Sequence, residues 1–352
     1  MEDELKAAWG EACTKYTIHE ETLSYFRKLK ALGTKAYEDS SPEEIRGQLL
    51  RRADLFAGCA NFTGSEQEYT VPGEENKGAS EWHRLRIISS YFIYEGVRCT
   101  EEEEQGYYLR PADVCRVPTI LVYFHGGGLV AGSRNIPQPF LKNLASRARC
   151  MVVNVEYRLA PEHKAPAAFD DCRAATRWVL QNKTRIGGHV DSQVGVAGDS
   201  AGGQLAASIT HDVTGLAFQI LVYPVTDVSQ NTPSYREFVK TPGLNAVGMR
   251  WYIQHFLANE GQKTDPVICP LLRPSASFKG LPPALCILAE LDPLRDEGQA
   301  YFEKLDAAGV STEILLVKGA PHAFFLLSGH FKQITKAPHQ KVQEFVKRFQ
   351  SD

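Results

Sequence analysis

Between residues 119 and 317, short apolar runs alternate with stretches whose apolar positions recur at helical spacing. Thr119–Phe124, Cys150–Val155, Val194–Ala197, Phe218–Tyr223, Ala284–Ala289 and Glu313–Val317 carry little charge, as strands buried on both faces do. Between them, residues 166–180, 201–213 and 296–308 read as helices, the last stopped by Gly309. Strands separated by crossover helices predict an α/β fold with a mostly parallel central sheet flanked by helices. Val342, Phe345, Val346 and Phe349 predict a closing amphipathic helix.

Two regions depart from this alternation. The first 75 residues read as helices. Ser41-Pro42-Glu43-Glu44 supplies a capping serine, a first-turn proline and a glutamate able to bond back to the cap. Ile45, Leu49 and Ala53 follow at spacing four. Residues 228–270 interrupt the alternation again, and Met249, Tyr252, Ile253, Phe256 and Leu257 predict a helix there. A helical lead plus a helical insertion after a strand predicts a cap over one end of the sheet. The chain then divides into a helical cap segment at 1–75 and a catalytic domain at 76–352, with a cap insertion at about 228–270. Between 73 and 105 lie an apolar-aromatic run around Ile87–Tyr94 and an acidic run, Glu101–Glu104, read as a solvated loop.

Composition removes several function classes. The 352 residues suffice for one large domain with an insertion. Lys+Arg 39 against Asp+Glu 42 gives a net charge of −3, so no basic excess points to nucleic acid or an anionic membrane. The start, Met1-Glu2-Asp3-Glu4, has acids where a secretion signal carries bases, and no apolar run approaches the ~18 residues of a membrane span. Eight scattered cysteines without a C-x-x-C pair argue against a zinc site and fit reduced thiols, so a cytoplasmic location is expected. The sequons at Asn61 and Asn182 are read as chance matches. The sequence leaves a homodimer open.

The chemistry concentrates first in Gly198-Asp199-Ser200-Ala201-Gly202-Gly203. This G-x-S-x-G pattern follows a predicted strand and opens a predicted helix, the context the motif requires. A glycine-rich turn can hold an inert serine; the flanking elements set this one apart. A sharp strand-to-helix turn strains the serine backbone, and glycines two positions either side remove the collision. It also sets Ser200 at the positive end of a helix. A second signal is His125-Gly126-Gly127-Gly128 at the end of Thr119–Phe124. Glycines let backbone N–H groups approach a developing oxyanion, and the expected donors are Gly127, Gly128 and Ala201. His125 is expected to brace this loop, with Gly126 and Asp199 in supporting positions.

A serine hydroxyl needs a histidine to take its proton and an acid to orient that histidine. In the order Ser…Asp…His, Asp292 after Ala284–Ala289 and His322 after Glu313–Val317 stand at carboxyl ends of strands, where ligands bind in open α/β sheets. Asp296 and Glu297 are rivals to Asp292, but fall in a first helical turn where acids serve the dipole. His330 and His339 are rivals to His322, and His163 reads as part of a turn.

These residues resemble the hormone-sensitive-lipase-like family of α/β-hydrolase carboxylesterases. The resemblance rests on H-G-G-G at 125–128, Y-R-L-A-P-E-H at 157–163, F-D-D at 169–171, G-D-S-A-G-G at 198–203, D-P-L-R-D-E-G at 292–298 and the histidine at 322. It covers roughly residues 119–325, with the motifs in family order, and G-D-S-A-G points to the branch named for that motif. It implies the α/β-hydrolase fold with a helical cap, and a serine esterase acting on short to medium acyl esters with Ser200, Asp292 and His322 as its triad. Leu129 departs from the aromatic that usually follows the glycines, and Ala323 from the glycine of the usual H-G-F; both bear on pocket shape.

The expected protein is therefore a cofactor-free, metal-free serine hydrolase of a small-molecule ester, without a membrane anchor. Leu129, Met249, Tyr252 and Phe256 are candidates for the substrate pocket, although apolar residues at helical spacing also serve as plain core. Two other readings remain: an amidase or deacetylase using the same three residues, and a ligand receptor on the hydrolase scaffold.

Overall fold

The fold is described from a computed structural model, which covers residues 8–60, 62, 64–72, 82–89 and 117–351. The strands are β1 (Ser65–Pro72), β2 (Trp82–Ser89), β3 (Ile120–Phe124), β4 (Met151–Glu156), β5 (Val194–Asp199), β6 (Phe218–Val222), β7 (Ala284–Leu291) and β8 (Thr312–Pro321). They form one sheet in the order β1-β2-β4-β3-β5-β6-β7-β8. From β4 to β8 every pairing is parallel, while β2 joins β4, and β1 joins β2, antiparallel. All six strands predicted from their apolar runs are present.

The longer helices are α1 (Glu20–Ala31), α2 (Pro42–Phe56), α3 (Gln138–Ala148), α4 (Ala167–Gln181), α5 (Ala201–Asp212), α6 (Ala246–Phe256), α7 (Arg295–Ala307) and α8 (Lys336–Lys347). One face of the sheet packs Phe169 and Cys172 of α4, Leu205 of α5 and Phe302 of α7 against Val122, Val153 and Val196. The other face packs Phe140 and Leu144 of α3 and Phe345 of α8 against Leu121, Val152 and Ile220. Helix α3 was not foreseen. Its apolar positions, Phe140, Leu141, Leu144 and Ala145, stand at helical spacing, but Pro137 and Pro139 punctuate its start.

The reading of residues 1–75 as helical needs correction. The helices end at Phe56, and Ser65–Pro72 is a strand of the sheet. Its half-buried Gln67 and Tyr69 alternate with exposed Glu66, Glu68 and Thr70, a period of two that overrides any helical spacing. The run around Ile87–Tyr94 is strand up to Ser89. Its remainder and Glu101–Glu104 lie outside the described residues.

The α2 start forms the expected capping box, with Ser41 accepting from the Glu44 amide while Glu44 accepts from Ser41 N–H. The insertion contains a short helical turn, Pro233–Glu237, and α6, whose Asn245 caps it through the Gly248 amide. Tyr37, just before α2, packs on Trp251 and Tyr252 of α6, so lead and insertion meet over the carboxyl ends of the strands. Arg46 ties α2 to the turns below, donating to Val130 O, Ala160 O and the Glu162 carboxylate, whose pKa it lowers to about 2.

Candidate active site

Four carboxyl strand ends build the site. Ser200 follows β5 directly, with φ 57° and ψ −120°, a strained positive-φ conformation at the cap position from which the right-handed α5 begins. The turn closes on the backbone: Ser200 N–H donates to Val222 O, and a Cβ on Gly202 would stand 1.9 Å from Phe124 O. A Cβ on Gly198 would stand 2.2 Å from the Gly202 carbonyl carbon. The G-x-S-x-G spacing is thus the condition for a turn this tight.

Asp292 leaves β7 fully buried, its Oδ1 accepting from Leu294 N–H, and His322 leaves β8. The His322 Nε2 stands 2.9 Å from Ser200 Oγ, and its Nδ1 stands 2.6 Å from Asp292 Oδ2. The imidazole can take the serine proton on one nitrogen while donating to the carboxylate through the other. The rivals are engaged elsewhere. Asp296 accepts from Ser234 N–H and Arg295, while Glu297 accepts from the amides of Thr226 and Asp227. Burial pushes the Glu297 carboxyl well above its ordinary range. His330 and His339 bond to the carbonyls of Glu21 and Phe325, and His163 is exposed.

The glycine loop after β3 lies beside Ser200. Asp199 Oδ1 accepts from Gly126 N–H at 2.9 Å and from the Tyr123 hydroxyl at 2.8 Å, fastening the loop to the serine turn. Burial raises the Asp199 pKa, and these hydrogen bonds oppose the rise. His125 is buried, its pKa lowered by desolvation. It stacks on Tyr157 at 4.2 Å, and its Nδ1–H donates to Gly126 O. The bond to Gly126 places it against the glycine loop. No acceptor among the described residues takes the amide protons of Gly127, Gly128 or Ala201. Ala201 opens α5, whose positive end favours an anion there.

Ser200, His322 and Gly126–Gly128 line one cavity of about 910 Å³, counted with its open mouth. Of the proposed pocket residues, Met249 and Tyr252 line it. The Tyr252 ring lies against Gly128 so closely that a Cβ there would stand 2.2 Å from it. Leu129 and Phe256 do not line it. Both are buried in the core, where the Leu129 carbonyl accepts from Ala160 N–H and the Phe256 carbonyl from Ala165 N–H. The cavity also takes Tyr25, Tyr37 and Arg52 from the amino-terminal helices, residues the sequence reading missed. A signal for Arg52 existed: it sits three residues after Leu49, a charge on the apolar stripe of α2.

A sheet of this topology, with these groups at its carboxyl edge, defines an α/β hydrolase. The sequence model of the family described as alpha/beta hydrolase fold matches residues 121–326. Carboxylesterase NlhH of Mycobacterium tuberculosis is 41% identical over 55% of this chain and 63% of its own length. Ethyl acetate hydrolase of Pseudomonas putida is 36% identical over 58% and 65%. The crystal structure of a thermostable esterase from Pseudomonas putida superposes with a TM-score of 0.81 at 28% identity, covering 94% of this chain and 97% of that one. The chain belongs to the hormone-sensitive-lipase-like family of α/β-hydrolase carboxylesterases. Its matches span less than two thirds of the length of those two curated relatives.

Proposed function

We propose that this protein is a serine carboxylesterase that hydrolyses short to medium acyl esters through an acyl-enzyme. The observation that carries the reading is the unbroken chain Ser200 Oγ–His322–Asp292 opening into a cavity beside three unengaged amides. Ser200 Oγ attacks the ester carbonyl carbon and its proton passes to His322 Nε2, while Asp292 orients and stabilises the imidazolium. The amides of Gly127, Gly128 and Ala201 take the oxyanion, each such donor being worth on the order of 10²–10³ in turnover. His322 then protonates the leaving alkoxide as the C–O bond breaks. A water, deprotonated by the same imidazole, releases the acid and restores Ser200. The aromatic wall at Tyr252, set against Gly128, favours a small acyl group, and a relative named for ethyl acetate agrees with that. No helix among the described residues is long and apolar enough to cross a membrane, which fits a cytoplasmic enzyme.

The test is turnover of p-nitrophenyl esters of increasing acyl length by the wild type and by Ser200→Ala. Hydrolysis should be greatest for short acyl chains and fall by about 10⁶-fold in the variant. Equal rates in the two proteins would end the proposal. A matched amide that outruns its ester would convert the reading to an amidase.

A further inference from the structure

Arg52 bears on which esters this site takes, and the inference rests on the esterase reading above. Its side chain is half-buried on α2, on the same stripe as Ile45 and Leu49, and it lines the cavity that holds Ser200 and His322. The nearby cation Arg46 is matched by Glu162. Among the described residues, no carboxylate lies within ion-pair distance of Arg52, and its Nε is buried without a hydrogen-bond partner.

The groups that surround it electrostatically are the phenols of Tyr25, Tyr37 and Tyr252, of which Tyr25 and Tyr37 hydrogen-bond the guanidinium. Burial raises Tyr25 and Tyr252 above ordinary phenol values, so these two are neutral near pH 7 and supply no countercharge. The rest of the wall includes Phe26, Leu49, Leu244 and Met249. A guanidinium does not lose its proton in a protein, and holding that charge in a largely apolar wall with only neutral phenols as partners is costly. A planar fork of donors facing a substrate cavity suits a carboxylate, which can accept two parallel N–H bonds.

We infer that the natural substrate is an ester that also carries a carboxylate, which sits on Arg52 while the ester carbonyl lies at Ser200. Two sources share that chemistry: a half-ester of a dicarboxylic acid, with the anion on the acyl side, and an acyl ester of a hydroxy acid, with the anion on the alcohol side. Arg52 is a specificity residue here, because it meets a part of the substrate that does not react. If it served only to join α2 to the tyrosines, the wild type would gain nothing from an anionic group.

Initial rates by pH-stat near neutral pH and at fixed ionic strength test this. Ethyl hydrogen glutarate is compared with ethyl hexanoate, and 4-acetoxybutanoate with pentyl acetate. In the wild type, at least one anionic ester should exceed its neutral partner by about a hundredfold in kcat/KM, mostly through KM. In Arg52→Met that ratio should collapse to about one, and Arg52→Lys should keep part of it. The neutral ester of each pair is the reference for folding and for the serine chemistry. A wild type that prefers neither anionic ester overturns the inference and leaves the esterase reading intact. A preference that survives Arg52→Met overturns it as well. Failure of the wild type on all of these esters would instead overturn the esterase reading, and this inference with it.

Discussion

The strand-end rim and the cap above it are built on different terms. At the rim, each chemical group sits within a residue or two of a strand and has a backbone group as a partner: Val222 O accepts from the Ser200 amide, Leu294 N–H donates to the Asp292 carboxylate, and Gly126 N–H donates to the Asp199 carboxylate. In the cap, α1, α2 and α6 are far apart in sequence and meet through side chains. Tyr37 stands against Tyr252, Arg46 against Glu162, and the Tyr16 hydroxyl donates to Glu237 at 2.8 Å. Backbone contacts constrain position whatever the side chain, whereas side-chain contacts change with each substitution. The rim should therefore hold the chemistry constant while the cap sets which molecule reaches it.

The largest expected effect breaks the rim alone. His322→Ala should lower kcat by about 10⁴-fold or more, with the thermal midpoint shifted by only a few degrees, because it removes the proposed proton acceptor and no backbone anchor. Circular dichroism melts run beside the assay check this, and loss of the fold would mean that the imidazole also carries the rim. Asp199 is the next step down. Asp199→Ala leaves the Gly126 amide and the Tyr123 hydroxyl without an acceptor, at about 1–3 kcal/mol for each buried group. Activity and stability should fall together. Asp199→Asn should restore most of both, since both bonds end on the one oxygen that an amide retains.

A third expectation concerns the scaffold beneath both regions. Desolvation lowers the pKa values of His211 and His339 from 6.5 to about 4. A base with a depressed folded-state pKa is bound neutral, so the unfolded chain takes up more protons as the pH falls below 6.5. Stability should thus be full above pH 6.5 and decline towards pH 4, by on the order of 1–3 kcal/mol per histidine. Urea midpoints at pH 7 and pH 5 measure the decline, and His339→Gln should flatten it. The smallest effect tests the cap. Tyr252→Leu removes the ring that rests on Gly128 and should shift the preferred acyl length upward, with a change of about tenfold in relative kcat/KM. If kcat for the shortest ester fell as far as in the rim variants, the division between the regions would fail.

Much of the rim was legible because its constraints are local. The serine turn needs glycines at Gly198 and Gly202, and the distances a Cβ would meet there explain the motif. Asp292 was separable from Asp296 and Glu297 by its place before a helix start; in the structure Asp292 contacts His322, while the other two bond to the amides of Ser234 and Thr226. The edge strand Ser65–Pro72 was misread because its alternation is short and mostly polar. The pocket was half legible. Helical spacing marks which residues of α6 face inward, but not whether they meet a cavity or the core, so Met249 and Tyr252 reached the site while Phe256 went to the interior, as did Leu129 after the glycine loop.

By itself the sequence determined the parallel sheet, the serine turn and the strand ends that carry Ser200, Asp292 and His322, since each follows from a periodicity or from a turn whose sterics admit few residues. The tertiary structure alone decided that Tyr25, Tyr37 and Arg52 line the same cavity as a serine 148 to 175 residues away in the chain. Helical periodicity orients a side chain about its own axis, and only the packing of one helix on another decides what that side chain faces.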